Sequence, residues 1–275
     1  MTGHERYAAA AHYTLDNPGG AQLVVLLHGL GADHRQPLDL IAGHRLDGAA
    51  VLAPDARAHG GTPIVGGPAD FRFDALVADL AALIAQLGQA GKPTHLVGVS
   101  MGAAIALRAA LRRDVDVRSL TLVRPAFTAQ SLPPNLAVMA HIGAALGEPD
   151  LTAARARFAD SAGYRAVAAV SALGAASLMA QFDAPDAVAR AERLRSVPTN
   201  TAYSDPGELA AIAAATLVVG TERDPVHPMD VARAWGDAIG GSHLAVIPPR
   251  DDDPVASATR AHEVVCDHLS RCWTP

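Results

Sequence analysis

The chain has 275 residues, half of them hydrophobic, with a formal net charge of −6 and a pI near 6.0. That length can bury a full core, as one α/β domain with an insertion, and the acidic balance argues against a nucleic-acid partner, which favours a basic surface. Lys92 is the only lysine, and with so much alanine and glycine the composition suggests a bacterial genome of high GC content. Residues 1–6 lack the basic start and 7–15-residue apolar core of a signal peptide, and no apolar run reaches the roughly 18 residues of a membrane span. A cytoplasmic protein without membrane contact is therefore expected. Cys266 and Cys272 fall on one predicted helix, about 9 Å apart by rise alone, too far to bridge each other; they read as reduced thiols. No internal repeat is present.

In chain order, residues 7–15 suggest a short edge strand, and Asn17-Pro-Gly-Gly20 is a turn by residue type. Residues 22–27 are apolar and β-branched without alternation, as a strand buried on both faces should be. They end in His28-Gly29-Leu30-Gly31. Residues 49–53 form the next strand, followed by Pro54-Asp55-Ala-Arg57-Ala-His59-Gly60-Gly61, where Asp55, Arg57 and His59 read as loop-bracing groups. Leu76, Leu80, Leu83, Ile84 and Leu87 recur at helical spacing and predict an amphipathic crossover helix over 73–87. Then comes His95-Leu-Val-Gly-Val-Ser-Met-Gly-Ala-Ala-Ile-Ala-Leu107: strand, sharp turn and helix. Gly98 and Gly102 flank Ser100, where side chains would collide with neighbouring backbone as the chain reverses. A further strand, 119–123, ends at Arg124-Pro125.

The strand, the Gly98-Val-Ser-Met-Gly102 turn and the helix after it resemble the α/β-hydrolase family, with Ser100 in the place of the nucleophile, its Oγ exposed on a strained turn. The resemblance implies an oxyanion hole made by the backbone N–H groups of Leu30, after His28-Gly29, and Met101, after Ser100. It also implies the fold class: α/β, with a mostly parallel, doubly wound sheet flanked by helices and a helical lid. The regular alternation of strands and helices independently requires such a sheet with right-handed crossovers. Ligands of such sheets sit beyond the C-terminal strand ends, the edge that carries His28, His59, Ser100 and Arg124. His28 and Arg124 are therefore candidate substrate-binding residues. A structural ion pair explains Arg124 equally well.

Residues 126–212 are alanine-rich, helical in pattern and interrupted by prolines. They fall where the family inserts its lid, which divides the chain into a core of 1–125 and 213–275 and a cap of 126–212. Phe127, Met139, Phe158, Tyr164, Met179, Gln181 and Phe182 are candidate pocket residues, Phe127 and Phe182 foremost. Residues 215–220 return to the sheet and lead into Thr221-Glu-Arg-Asp224-Pro-Val-His227-Pro228. The family's triad acid follows that strand, which places it on Asp224; an N-cap aspartate for the next helix is the other reading.

The family's histidine should follow the last strand, 243–247, but that loop reads Pro248-Pro-Arg-Asp-Asp-Asp-Pro254. Its aspartates suit a helix N-terminus. His243 begins the strand at the wrong edge, and His262 lies roughly 10 Å into the final helix. His227 has the right edge, though three residues after Asp224 a linear relay is hard to build. The order of candidates for the base is His227, then His262, then none. A serine without a base is a weak nucleophile. The readings are thus a serine hydrolase of a small-molecule ester, thioester or lactone; a cyclase, lyase or acyl transferase on the same fold; or a non-catalytic binding protein. No cofactor is implied, and the histidines show no ligand spacing for a metal.

Overall fold

In the computed structural model, described over residues 1–273, seven strands form one sheet. They are β1 (Tyr13–Asp16), β2 (Gln22–Leu27), β3 (Ala49–Pro54), β4 (Thr94–Val99), β5 (Val117–Val123), β6 (Ala215–Thr221) and β7 (His243–Ile247), in the order β1-β3-β2-β4-β5-β6-β7. Only β1 runs antiparallel. The helices are α1 (Gly3–Ala10), α2 (Arg35–Leu40), α3 (Phe73–Gln86), α4 (Met101–Arg112), α5 (Ala137–Ala145), α6 (Leu151–Ala159), α7 (Ala162–Ala168), α8 (Ala172–Met179), α9 (Glu192–Ser196), α10 (Met229–Ala238) and α11 (Pro254–Cys272).

Because successive strand residues point to opposite faces, the unbroken apolar run of β2 feeds two cores. Leu23, Val25 and Leu27 pack with α3, α4 and α10, whereas Val24 and Leu26 pack with α11 on the other face. The insertion between β5 and β6 carries α5 to α9 and has an apolar cluster of its own, centred on Ile142, Phe158, Leu178 and Leu194. Asn135, just before α5, donates to the carbonyls of Ala126 (2.9 Å) and Val226 (2.8 Å), so a single amide ties the insertion to the loop after β6.

Two expectations are corrected. Residues 7–10 are helical and the strand starts only at Tyr13. A capping box explains this: Thr2 Oγ1 accepts from the Glu5 N–H (3.2 Å) and Glu5 Oε2 from the Thr2 N–H (2.6 Å), followed by three alanines of high helix propensity. In the loop after β7 only Asp253 caps α11, accepting from the Ala256 N–H at 2.9 Å. Asp252 instead pairs with Arg223, and Asp251 holds the start of α8 through Ser171 Oγ (2.5 Å) and the Leu173 N–H (2.9 Å).

Candidate active site

The turn after β4 is built by close backbone approach. A Cβ on Gly98 would lie 2.2 Å from the Gly102 carbonyl oxygen, and one on Gly102 would lie 2.2 Å from that of Leu27, so neither position admits a side chain. Between them Ser100 takes φ +53° and ψ −107°, a conformation costing of order 1–3 kcal/mol for a residue with a Cβ. The Ser100 N–H, bonded to the Val123 carbonyl at 2.9 Å, holds that turn on β5. The strain lifts Oγ off the strand end and leaves the Met101 N–H as the first, unpartnered donor of α4. Gly29 sits against Ser100, and its N–H donates to Gln36 Oε1 at 2.7 Å. Among the described residues the Leu30 and Met101 N–H groups donate to no protein acceptor.

His227 meets Ser100. Ser100 Oγ lies 2.9 Å from His227 Nε2, and His227 Nδ1 lies 2.9 Å from Asp224 Oδ2. The three-residue spacing works because the carboxylate divides its oxygens. Asp224 Oδ1 accepts from the backbone N–H groups of Val226 and His227, both at 3.2 Å, which folds the loop into a tight turn, and Oδ2 remains for the imidazole. Pro225 presets the turn and Pro228 precedes α10, so the loop stops just after the histidine. Both partners fix the tautomer: Nδ1–H faces the acid, and Nε2 offers its lone pair to the serine hydroxyl. Burial alone would push the Asp224 carboxyl up. The adjacent His227, with Arg124 and Arg250 beyond, outweighs that and holds it well below the usual carboxylate range.

Above this constellation lies a cavity of about 130 Å³. Its floor includes Ser100, Leu30, Gln36 and Phe127, and its roof comes from the insertion through Leu136, Met139, Ser177, Leu178 and Gln181. Gln181 Oε1 is buried there with no hydrogen-bond partner. Two arginines reach it. Arg124, at the end of β5 with φ +49°, approaches Asp224 Oδ2 at 3.7 Å, and burial, with Arg250 adding to it, lowers its guanidinium to about 10. Arg250 comes from the loop after β7, where the family's histidine was sought. The sequence reading passed over Arg250, although the strand-end argument that singled out Arg124 applies to it equally. It also missed Gln36 and the tethering Asn135.

Other candidates lie elsewhere. His28 is buried and both ring nitrogens are spent on backbone: Nδ1 donates to the Gly29 carbonyl (2.8 Å) and Nε2 accepts from the Ala56 N–H (3.0 Å). Burial lowers its pKa, and as a backbone brace it does not line the cavity. Phe182 is likewise withdrawn. It packs on Phe158 at 5.4 Å between ring centroids, Tyr164 lies 5.5 Å from the same ring and Met179 packs against the same cluster, because the insertion needs aromatic bulk for its own core. His262 donates from Nδ1 to the Leu40 carbonyl at 2.9 Å, away from Ser100. His59 is buried, donating to the Arg57 carbonyl at 2.6 Å.

The fold does cluster histidines that sequence spacing separates. His12, His34 and Asp55 bring ligand-type atoms within 4.8 Å of one another. Asp55 accepts from both imidazoles (2.8 and 2.9 Å) and from the His34 and Gly61 N–H groups (2.7 and 2.8 Å), so its oxygens brace the loop after β3.

Comparison with known proteins agrees with this architecture. A family model described as "Alpha/beta hydrolase family" matches residues 24–265. Lipase LipV of Mycobacterium tuberculosis is 34% identical over 115 residues, which covers 42% of this chain and 41% of that protein, so the match spans about two fifths of the relative's length. Among solved structures, a thermophilic esterase from Thermogutta terrifontis superposes with a TM-score of 0.70 at 20% identity, covering 96% of this chain and 95% of the other. The enol-lactonase of Burkholderia xenovorans LB400 gives 0.66 at 21% identity, covering 94% and 96%. At such identities these two likenesses speak for the fold, while the family model carries the membership. The chain belongs to the alpha/beta hydrolase family.

Proposed function

We propose that this protein is a serine hydrolase acting on a small-molecule ester, thioester or lactone, with Ser100 as nucleophile, His227 as general base and Asp224 as the orienting acid. The single observation behind this reading is the continuous Ser100–His227–Asp224 hydrogen-bond chain, 2.9 Å at each link, opening onto a cavity. In the first half-reaction His227 Nε2 takes the hydroxyl proton as Ser100 Oγ attacks the carbonyl carbon. The resulting oxyanion meets the Leu30 and Met101 N–H groups, each such donor being worth about 3–4 kcal/mol of barrier. The imidazolium, stabilised by the ionised Asp224, then gives its proton to the leaving alcohol, thiol or ring oxygen as the acyl bond breaks. Water, deprotonated by the same nitrogen, attacks the acyl-enzyme, and His227 returns that proton to Ser100 Oγ as the acyl–oxygen bond breaks and the acid leaves. The insertion (126–212) serves as the lid that shapes the acyl site.

The printed names of the relatives, a lipase, an esterase and an enol-lactonase, are compatible with carboxylic-ester chemistry here. The test is steady-state hydrolysis of short 4-nitrophenyl esters. Turnover by the wild type that is lost in Ser100→Ala, with the fold retained by circular dichroism, supports the reading. Equal turnover by both proteins overturns it.

A further inference from the structure

The triad accounts for Ser100, His227 and Asp224 and leaves two arginines in the same cavity unexplained. Arg124 and Arg250 both line it, and among the described residues neither guanidinium makes a hydrogen bond to protein. The one ion-pair contact, Arg124 to Asp224 at 3.7 Å, is longer than a hydrogen bond, and both Asp224 oxygens are already occupied by the Val226 and His227 N–H groups and by the imidazole. The aspartates that follow Arg250 are no better as partners. Asp251 is engaged by Ser171 and Leu173, and Asp252 by Arg223.

Both arginines are partly buried and their guanidinium donors lack protein acceptors, an arrangement that an anionic ligand completes by bidentate hydrogen bonding. The charge on the cavity wall sets the valence. Two guanidiniums stand against one carboxylate, so these three side chains leave one uncompensated positive charge on the wall. That matches a monoanion better than a dianionic phosphate. The placement is also suited to discrimination. Arg124 closes β5 and Arg250 follows β7, so the pair flanks the β6 loop that carries the base. Leu178 and Gln181 of the insertion line the same cavity, so an anion held there is partly withdrawn from solvent and less screened than one on the open surface.

We infer that the substrate carries a free carboxylate besides its scissile bond, held by Arg250 and Arg124: a hemiester or a carboxylate-bearing lactone rather than a neutral acyl ester. The inference rests on the hydrolase reading for the scissile bond but not for the anion site, and the two are tested apart.

The first measurement compares kcat/KM for matched pairs, 4-nitrophenyl hemiglutarate against 4-nitrophenyl valerate, and 4-acetoxybenzoate against 4-methylphenyl acetate, which put the carboxylate on the acyl or the leaving side. A preference of tenfold or more for the anion in either pair is expected. Arg250→Gln should cut that ratio at least tenfold, while Arg250→Lys, which keeps the charge, should cut it less. Neutral esters cleaved with no anionic preference in either pair would overturn the inference and leave the hydrolase reading standing. The second measurement needs no turnover: calorimetric binding of monomethyl glutarate and of methyl valerate to Ser100→Ala. Tighter binding of the monoanion, weakened in the Ser100→Ala, Arg250→Gln double variant, supports the anion site even if no ester is hydrolysed. Equal binding, or tighter binding of a phosphate monoester such as phenyl phosphate, contradicts it.

Discussion

Replacing His227 by alanine removes the group on which the proposed chemistry turns. The imidazole is held at both ends, by Ser100 Oγ and Asp224 Oδ2, each at 2.9 Å, and no other base is available to substitute. His28 has both nitrogens bonded to backbone, and His262 is tied to the Leu40 carbonyl. Arg124, lowered by burial to about 10, stays protonated near neutrality, and no arginine serves as a proton acceptor here. Loss of a triad member leaves only the enhancement from the oxyanion hole and binding, so kcat should fall by about 10³-fold or more, about 4 kcal/mol or greater. The stability change should be small by comparison, near the ~1 kcal/mol of a lost hydrogen bond, since the histidine lies in the cavity wall rather than in the core. The assay is kcat on a 4-nitrophenyl ester with the thermal transition recorded in parallel. His262→Ala is the control and should change kcat by less than about tenfold. A His227→Ala protein with more than a tenth of wild-type kcat, or a His262→Ala protein as impaired as it, would refute the reasoning.

Three further outcomes are expected. Asn135→Ala frees the Val226 carbonyl and should lower kcat several-fold with little change in KM, because Asn135 positions the base loop without touching substrate; a change confined to KM would count against that role. Asp79→Ala removes one partner of a buried ion pair with Arg57 (2.7 Å from Nη2 to Oδ1) and should destabilise the fold by about 3–5 kcal/mol in urea denaturation, the Arg57→Met, Asp79→Leu double variant costing less. The Asp224 carboxyl is held below the usual carboxylate range, so its contribution is complete above about pH 4 and is lost only as pH falls through its depressed value. Asp224 should therefore add no step of its own to log kcat/KM above about pH 4; a slope near two on the acidic limb would show that it titrates together with a second group.

Much of this architecture was legible because it depends on local pattern. The both-face burial of β2 shows as an unbroken apolar run, and the close approach at Gly98 and Gly102 shows as two glycines around a serine. What resisted reading was side-chain direction. His28 sits at the right sheet edge, yet it turns into the loop after β3, where the Ala56 N–H needs an acceptor. Phe182 has the right chemistry for a pocket but is consumed by the insertion's own core. The doubt over His227 rests on its place three residues after Asp224, where a linear relay is hard to build. The Asx turn made by Asp224 Oδ1 contracts that interval and points the imidazole at Ser100, a contact between residues 127 positions apart that no local pattern encodes. Arg250 went unread for a related reason: the loop after β7 was searched for a base and not for a cation.

The most direct test of the central claim is covalent labelling of Ser100 by a fluorophosphonate, followed by intact-mass and peptide mapping. The account predicts one adduct, on the peptide carrying Ser100, formed rapidly in the wild type, at least about 10²-fold more slowly in His227→Ala, and absent in Ser100→Ala. Labelling of Ser100 at an undiminished rate without His227, or an adduct on another residue with Ser100 left free, would contradict it.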